Sequence, residues 1–151
     1  STINIIDKNF LKKSYSFNFN SGQLTRVIAS TLGVTLDAAE NIKSRDGLMS
    51  SRQDVVRSLC ILLDPVLVEI KSIAAEFFQS DQKQIEEIYL TGGTANLPGL
   101  REYFAESLKK NVYVPNCFSE FLYPPILEGT LKLMSPSFSA AVGVALGGLE
   151  T

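Results

Sequence analysis

The chain contains 151 residues, of which 45% are hydrophobic and 20% charged, and 14 basic against 16 acidic residues give a net charge of −2. A chain of this length buries about 70% of the surface that its unfolded form exposes, so it needs neither disulfides nor a metal to hold a core. The balanced charge, without any block of Lys or Arg, argues against a nucleic-acid-binding protein.

The composition also excludes several kinds of site. The absence of histidine rules out Ser-His-Asp and Cys-His nucleophilic sites and metals held by imidazole. Two cysteines, Cys60 and Cys117, form no Cys-x-x-Cys motif and fit a reducing compartment. The longest apolar stretch, 59–70, is interrupted by Asp64 and Pro65 and is too short to span a membrane. We therefore expect a cytoplasmic domain without a signal peptide or transmembrane segment.

The first residues are predicted to form a β-hairpin. Residues 2–6 are rich in β-formers, residues 10–19 alternate in part, and the Asp-Lys-Asn sequence between them is typical of a turn. A strand that begins at the second residue has no preceding cap or loop. We therefore expect the chain to be a piece of a longer protein.

Two short helices are predicted to follow the hairpin. Ser21 and Gly22 turn the chain into a segment with apolar residues at helical spacing, and Gly33 is expected to end that helix. The next helix covers 35–43, with Thr35 as its N-cap.

A polar loop over 44–51 is predicted to lead into a long helical region over 52–79, which carries one apolar stripe. Pro65 interrupts this region, which predicts either two helices or one kinked helix. Asp64 is expected to cap the second half if there are two.

The last part of the chain is predicted to alternate strands and helices, in the order strand 85–90, helix 97–108, strand 112–114, irregular segment 116–136 and helix 137–149. Together with the hairpin and the earlier helices, this alternation predicts a mixed α/β domain.

The most specific motif is a pair of glycines after the strand over 85–90, in the run Thr91-Gly92-Gly93-Thr94-Ala95-Asn96. Adjacent glycines let the backbone approach a ligand, and a helix that starts just after them would point its free N–H groups at the turn. The same glycines also suit a tight strand-to-helix turn that binds nothing, and spacing alone favours that interpretation.

Two further groups can carry chemistry. Glu40 and Lys43 lie on one helix face at i and i+3, where they can bind sugar hydroxyls, although spacing favours a solvated ion pair. Gly22 permits a close approach at a helix start, and Thr25 adds a hydroxyl one turn later. For the second group, an ordinary helix N-terminus with Ser21 as its cap is the favoured interpretation.

Taken in order, these motifs resemble the actin-like ATPases. The run Ile88-Tyr89-Leu90-Thr91-Gly92-Gly93-Thr94-Ala95-Asn96-Leu97-Pro98-Gly99-Leu100 is similar to the adenosine motif of that superfamily, and its Leu-Pro-Gly-Leu ending is similar to the PilM and FtsA branch. Ser21-Gly22-Gln23-Leu24-Thr25, Ala39-Glu40-Asn41-Ile42-Lys43 and the closing helix from Ser139 to Leu146 resemble three further motifs of that branch. The intervals fit best the PilM family of type IV pilus assembly.

The resemblance implies an actin-like, ribonuclease H-like fold with a mixed sheet flanked by helices. Residues 1–151 would be the second, C-terminal lobe of a two-lobed protein whose first lobe is absent from this chain. ATP and Mg²⁺ would bind between the lobes, so the chain alone should not hydrolyse ATP. Inner-membrane pilus proteins, such as PilN-like peptides, would bind mainly to the missing lobe, and self-association is possible.

The resemblance also implies roles for eight residues, with no catalytic or metal-binding residue among them. Gly92, Gly93 and Thr94 would border the adenosine and the α-phosphate, with Asn96 nearby. The remaining four would lie around the base and ribose: Glu40, Lys43, Gly22 and Thr25.

One departure from the family pattern leaves alternatives open. Ser21 stands where the family has the first of two glycines, which loosens the close approach to a nucleotide. The chain is therefore also compatible with an interaction domain that has a vestigial pocket and uses its aromatic segment around Phe118, Phe121 and Tyr123. A third alternative is an FtsA-like cell-division protein, for which the sequence offers no C-terminal amphipathic helix.

Overall fold

The N-terminal hairpin is present as predicted in the computed structural model, which describes residues 1–148. Strand β1 (Thr2–Asp7) pairs antiparallel with β2 (Phe10–Ser16). The chain reverses at Lys8 and Asn9, whose φ angles are 52° and 65°. Two consecutive left-handed residues make the tight turn whose twist matches that of paired strands.

Helix α1 (Ser21–Leu32) begins at Ser21, the residue that was expected to be its N-cap. Asn20, not Ser21, is the N-cap: its side chain accepts from the Gln23 N–H, and the Gln23 side chain accepts from the Asn20 N–H. This reciprocal pair satisfies two backbone donors at the helix start and frees the Ser21 hydroxyl for another contact. Gly33 ends the helix in the left-handed conformation, as predicted.

Helix α2 (Leu36–Arg45) carries the predicted cap, since the Thr35 side chain accepts from the Ala38 N–H. The polar loop after it contains a 3-10 turn (Gly47–Met49). Gly47 has a φ of +48°, and a Cβ built on it would lie 2.7 Å from the Pro98 carbonyl oxygen. This close packing fixes the end of α2 against a loop that is distant in sequence.

Helix α3 (Gln53–Asp81) is continuous through Pro65, so the expected second helix start at Asp64 is wrong. Pro65 removes the donor that would bind the Ile61 carbonyl, but both residues lie on the exposed side of α3, where water can bind that oxygen. The Asp64 carboxylate accepts a hydrogen bond from the Tyr103 hydroxyl instead of capping a helix.

The expected strand–helix–strand unit is present. Strands β3 (Glu87–Tyr89) and β4 (Asn111–Tyr113) pair in parallel, and helix α4 (Leu100–Leu108) connects them. Among residues 1–148 the strands form two separate two-stranded sheets, one antiparallel and one parallel, in place of the one mixed sheet that was expected. A 3-10 turn (Gly93–Asn96) begins at the second of the two glycines, so the α-helix does not start just after them.

Helix α5 (Glu128–Gly147) begins well inside the segment 116–136 that was expected to be irregular. A short 3-10 turn (Pro125–Leu127) precedes it, and Pro136 lies within the helix. Residue 149, the expected helix end, lies outside the described residues.

The main core lies between α1, α3 and α4, and its fully buried side chains include Leu24, Ile28, Val55 and Leu59. A second, smaller core of Ile5, Ile73 and Phe77 holds the hairpin on the C-terminal half of α3. Within the described part of the chain, no helix is both long and apolar enough to cross a membrane.

The close packing at Gly47 predicts a large cost for any side chain there. Gly47→Ala should lower the free energy of unfolding by about 1–3 kcal/mol, because the new Cβ clashes with backbone and the left-handed φ disfavours alanine. Gly143→Ala is the control, since a Cβ at Gly143 meets nothing within 4 Å, and it should be neutral or stabilising. Urea unfolding of both variants measures the difference, and equal stabilities would contradict the packing argument.

Candidate functional site

Lys43 is the centre of a buried polar network between α1 and α2. Only 9% of its side chain is exposed. Its Nζ donates to the Ser21 hydroxyl at 2.7 Å, the Thr25 hydroxyl at 3.0 Å and the Glu40 carboxylate at 2.7 Å. Because a buried ammonium without partners is costly, these three oxygens make its position stable.

Thr25 and Glu40 complete the network. The Thr25 hydroxyl accepts from Lys43 and donates to the Glu40 carboxylate at 2.6 Å. Hydrogen bonds from Lys43 and then from Thr25 hold the pKa of Glu40 below its ordinary value of 4.5. The Glu40 side chain is 50% exposed, so its fixed carboxylate can still accept from a ligand hydroxyl.

The structure therefore corrects the expectation of a solvated ion pair for Glu40 and Lys43. The lysine belongs to the interior and spans two helices, while the glutamate faces solvent. The role of Ser21 was missed in the sequence. The sequence did contain a signal for this role, because Ser21 and Thr25 lie at i and i+4 on α1 and can both face Glu40 and Lys43 on the next helix.

Gly22 lies beside this network in the first turn of α1. A Cβ at this position would lie 3.2 Å from the Asn20 side-chain oxygen, which acts as the helix cap. The glycine thus leaves room for the cap of the helix that carries Ser21 and Thr25.

The turn after β3 forms the second part of the candidate site. Gly92 has a φ of +86°, and a Cβ built on it would meet nothing within 4 Å. Its N–H donates to the Pro136 carbonyl at 2.6 Å, so this group is not free for an anion. The turn therefore exposes its backbone on one side and docks on α5 with the other.

Asn96 ends the turn and also contacts α5. Its side-chain amide donates to the Leu133 carbonyl at 2.8 Å. It lines a groove of about 570 Å³ between the turn, α4 and α5, together with Arg101, Lys132 and other residues. Thr94 is half-buried, and its carbonyl accepts from the Leu97 N–H within the turn. The contacts to α5 were not predicted, because residues 128–136 were expected to be irregular.

One hydrogen bond links the two parts of the site. The Leu48 N–H, in the 3-10 turn after α2, donates to the Pro98 carbonyl at 2.9 Å. Pro98 follows the turn that ends at Asn96, so α2 and this turn are held in a fixed relation. Among residues 1–148, no hydrogen bond joins the Lys43 network directly to the turn.

The comparisons with known proteins agree with one another. The family model described as type IV pilus assembly protein PilM matches residues 2–149. A chain of the PilM–PilN type IV pilus biogenesis complex is 24% identical with a TM-score of 0.81, and the match covers 99% of this chain and 43% of that one. The ethanolamine utilization protein EutJ from Carboxydothermus hydrogenoformans is 23% identical with a TM-score of 0.66, over 96% of this chain and 44% of its own. No curated protein is similar enough to count as a relative.

These matches establish the fold. Because both solved structures are less than 25% identical to this chain, they show a shared actin-like architecture and nothing about ligands. The chain spans less than half of either protein's length.

The Lys43 network predicts a cost for removing the ammonium. Lys43→Met should lower the free energy of unfolding by about 1–3 kcal/mol, because three hydrogen bonds to a charged group are lost. Lys71→Met, at an exposed position of α3, is the matched control and should change little. Thermal or urea unfolding checks the result, and equal effects of the two substitutions would contradict the network.

The lowered pKa of Glu40 predicts how this cost depends on pH. A carboxyl group whose pKa is depressed by folding stabilises the protein above its unfolded pKa, and this contribution is lost as pH falls through the folded value. The stability difference between wild type and Lys43→Met should therefore shrink as pH falls below about 4.5. A difference that stays constant down to pH 3, measured by urea unfolding, would show that Glu40 is not coupled to Lys43.

Proposed function

The chain belongs to the PilM family of type IV pilus assembly proteins, and from this premise we propose that it is the adenosine-binding second lobe of a PilM-like scaffold. In this proposal residues 1–151 form one side of a cleft that ATP shares with a preceding lobe. The Lys43 network is the observation that carries the proposal. It fixes a threonine hydroxyl and a half-exposed carboxylate beside a helix start.

The network suits the ribose and base of a nucleotide. A carboxylate accepts from vicinal sugar hydroxyls, and here the Glu40 carboxylate is already oriented by Thr25 and Lys43. Preorganised side chains lose little conformational entropy on binding. We assign Glu40 to the ribose and adenine, with Lys43 holding its carboxylate in place, and Gly22 and Thr25 to the edge of the base pocket.

The turn after β3 suits the adenosine and α-phosphate. At Gly92 the backbone is left-handed and open, so a ligand can approach it without meeting a Cβ. We assign Gly92, Gly93 and Thr94 to this contact. Asn96 would act indirectly, because its side-chain amide donates to the Leu133 carbonyl and so holds the turn against α5.

Mg²⁺ would bind mainly through groups outside this lobe. Within residues 1–148, no cluster of three or more cysteine, aspartate or glutamate side chains could hold a metal ion. The triphosphate and the other lobe would supply the ligands.

The partners follow from the family as proposals. The matched complex contains PilM with PilN, and we propose that a PilN-like peptide of an inner-membrane pilus protein binds mainly to the other lobe. The scaffold would then act on the cytoplasmic side of the inner membrane, and copies of it could associate.

One observation favours a second candidate, a partner-binding domain whose pocket no longer binds nucleotide. The Ser21 hydroxyl accepts a hydrogen bond from the Lys43 Nζ, at a position where the family pattern has glycine. With this serine present, the lysine is satisfied without any ligand. Phe121, which is 42% exposed beside Phe118, would then belong to a partner surface.

Calorimetric titration with ATP and Mg²⁺ distinguishes the two candidates. Thr25→Val keeps the shape of the side chain and removes its hydroxyl. It should weaken ATP binding about fivefold to tenfold, since the hydrogen bond from Thr25 that orients the Glu40 carboxylate is lost. Thr31→Val is the matched control, because Thr31 lies on the same helix and its hydroxyl forms a hydrogen bond with the Ser58 hydroxyl of α3. Thr31→Val should leave ATP affinity unchanged.

The titration should be run on this chain and on the same chain preceded by a first lobe. Binding that strengthens with the first lobe and falls in Thr25→Val supports the nucleotide cleft. Absence of binding in both proteins would overturn it and favour the partner-binding domain.

A further inference from the structure

We propose that the tip of the β1–β2 hairpin is a membrane-binding surface that inserts into the interface of an anionic lipid bilayer. The hairpin tip is defined here as residues 6–12. The proposal goes beyond nucleotide binding and does not depend on it, because the tip contains none of the residues assigned to the nucleotide.

The backbone makes the tip narrow. The two-residue turn at Lys8 and Asn9 brings the strands together at their last pairs, Asp7 with Phe10 and Ile6 with Leu11. The register shifts between Ile5 and Ile6, which leaves Lys12 as an extra residue in β2. A bulge of this kind twists the hairpin end away from the pairs before it.

Apolar side chains are concentrated at this end. Phe10 is 70% exposed, Ile6 67% and Leu11 62%. The outward pairs nearer the body of the protein are polar: Ser14 donates to the Asn4 side chain at 2.7 Å, and Thr2 pairs with Ser16. Ile6 and Leu11 continue this outer face, which therefore changes from polar to apolar at the tip, and Phe10 adds an exposed ring on the other face, opposite Asp7.

The charge at the tip is positive. Asp7 is neutralised by Lys83 at 2.6 Å, and Lys13, just below the tip, is paired with Glu76 at 2.9 Å. No ion pair among residues 1–148 includes Lys8 or Lys12. Two unpaired lysines thus flank the three apolar side chains.

This combination favours a bilayer over a protein groove. The tip is a projecting end and not a concave surface, so it can enter a deformable interface but encloses no ligand. Phenylalanine and leucine insert at the boundary of the acyl chains, and lysine binds anionic headgroups. Each lysine near an anionic surface is worth about 1 kcal/mol, or about fivefold in affinity, so the two charges select anionic lipid.

Tryptophan fluorescence tests the insertion directly, because the chain contains no tryptophan. Phe10→Trp places a single fluorophore at the tip. Its emission should shift to the blue with phosphatidylcholine vesicles containing a quarter phosphatidylglycerol, and shift little with phosphatidylcholine alone. Leu122→Trp, at a fully exposed position distant in sequence, is the control and should not shift with either vesicle.

Matched lysine variants test the role of charge in vesicle co-sedimentation. The double variant Lys8→Asn, Lys12→Gln should bind anionic vesicles with an apparent affinity more than tenfold lower than that of wild type, since both cations are lost. Lys109→Asn with Lys71→Gln is the control, because Lys109 shares the left-handed backbone of Lys8 and Lys71 is an exposed helical lysine. The control pair should bind like wild type.

Three outcomes would overturn the proposal. One is an unchanged Phe10→Trp emission with anionic vesicles, and another is an equal loss of binding in the two lysine pairs. The third is a blue shift with poly-glutamate or with higher protein concentration but not with vesicles, which would assign the tip to an acidic polypeptide or to a second copy of the chain.

Discussion

The burial of the Lys43 ammonium is the constraint on which the candidate site depends. A charged group that is 9% exposed must find its hydrogen-bond partners within the protein. Two of them, Ser21 and Thr25, lie on α1, and the third, Glu40, lies on α2 with the lysine itself. The network thereby fixes how the two helices cross, and it orients the half-exposed Glu40 carboxylate where a ligand can reach it.

A second constraint extends this order to the turn after β3. The Leu48 N–H bonds the Pro98 carbonyl, and Gly47 packs so closely on Pro98 that no side chain fits. The turn is held from its other side, because Gly92 donates its N–H to the Pro136 carbonyl of α5. The proposed cleft is thus bounded by groups whose positions are set by packing and hydrogen bonds before any nucleotide arrives, which reduces the entropic cost of binding.

The hairpin, α1, α2 and the strand–helix–strand unit were predictable because their signals are local: turn residues, caps and helical spacing. The Lys43 network was not, since it depends on how α1 and α2 cross, and spacing alone favoured a solvated pair. Pro65 left the prediction undecided between two helices and one kinked helix, and Pro136 misled it, for a shared reason. A proline marks a lost donor, but whether the helix ends there depends on whether the freed carbonyl finds water or another partner. That information lies in the tertiary structure, as does the contact of Asn96 with α5.

In the proposed function, the Lys43 network and the turn after β3 belong to one adenosine site. Titration of the ¹⁵N-labelled chain with adenosine, followed by NMR, tests it most directly, because weak binding to half a cleft is still visible as chemical-shift changes. If they form one site, the amides of Gly22 and Thr25 and those of 92–96 should shift together with one dissociation constant. Shifts confined to one of the two groups, or located at neither, would contradict it.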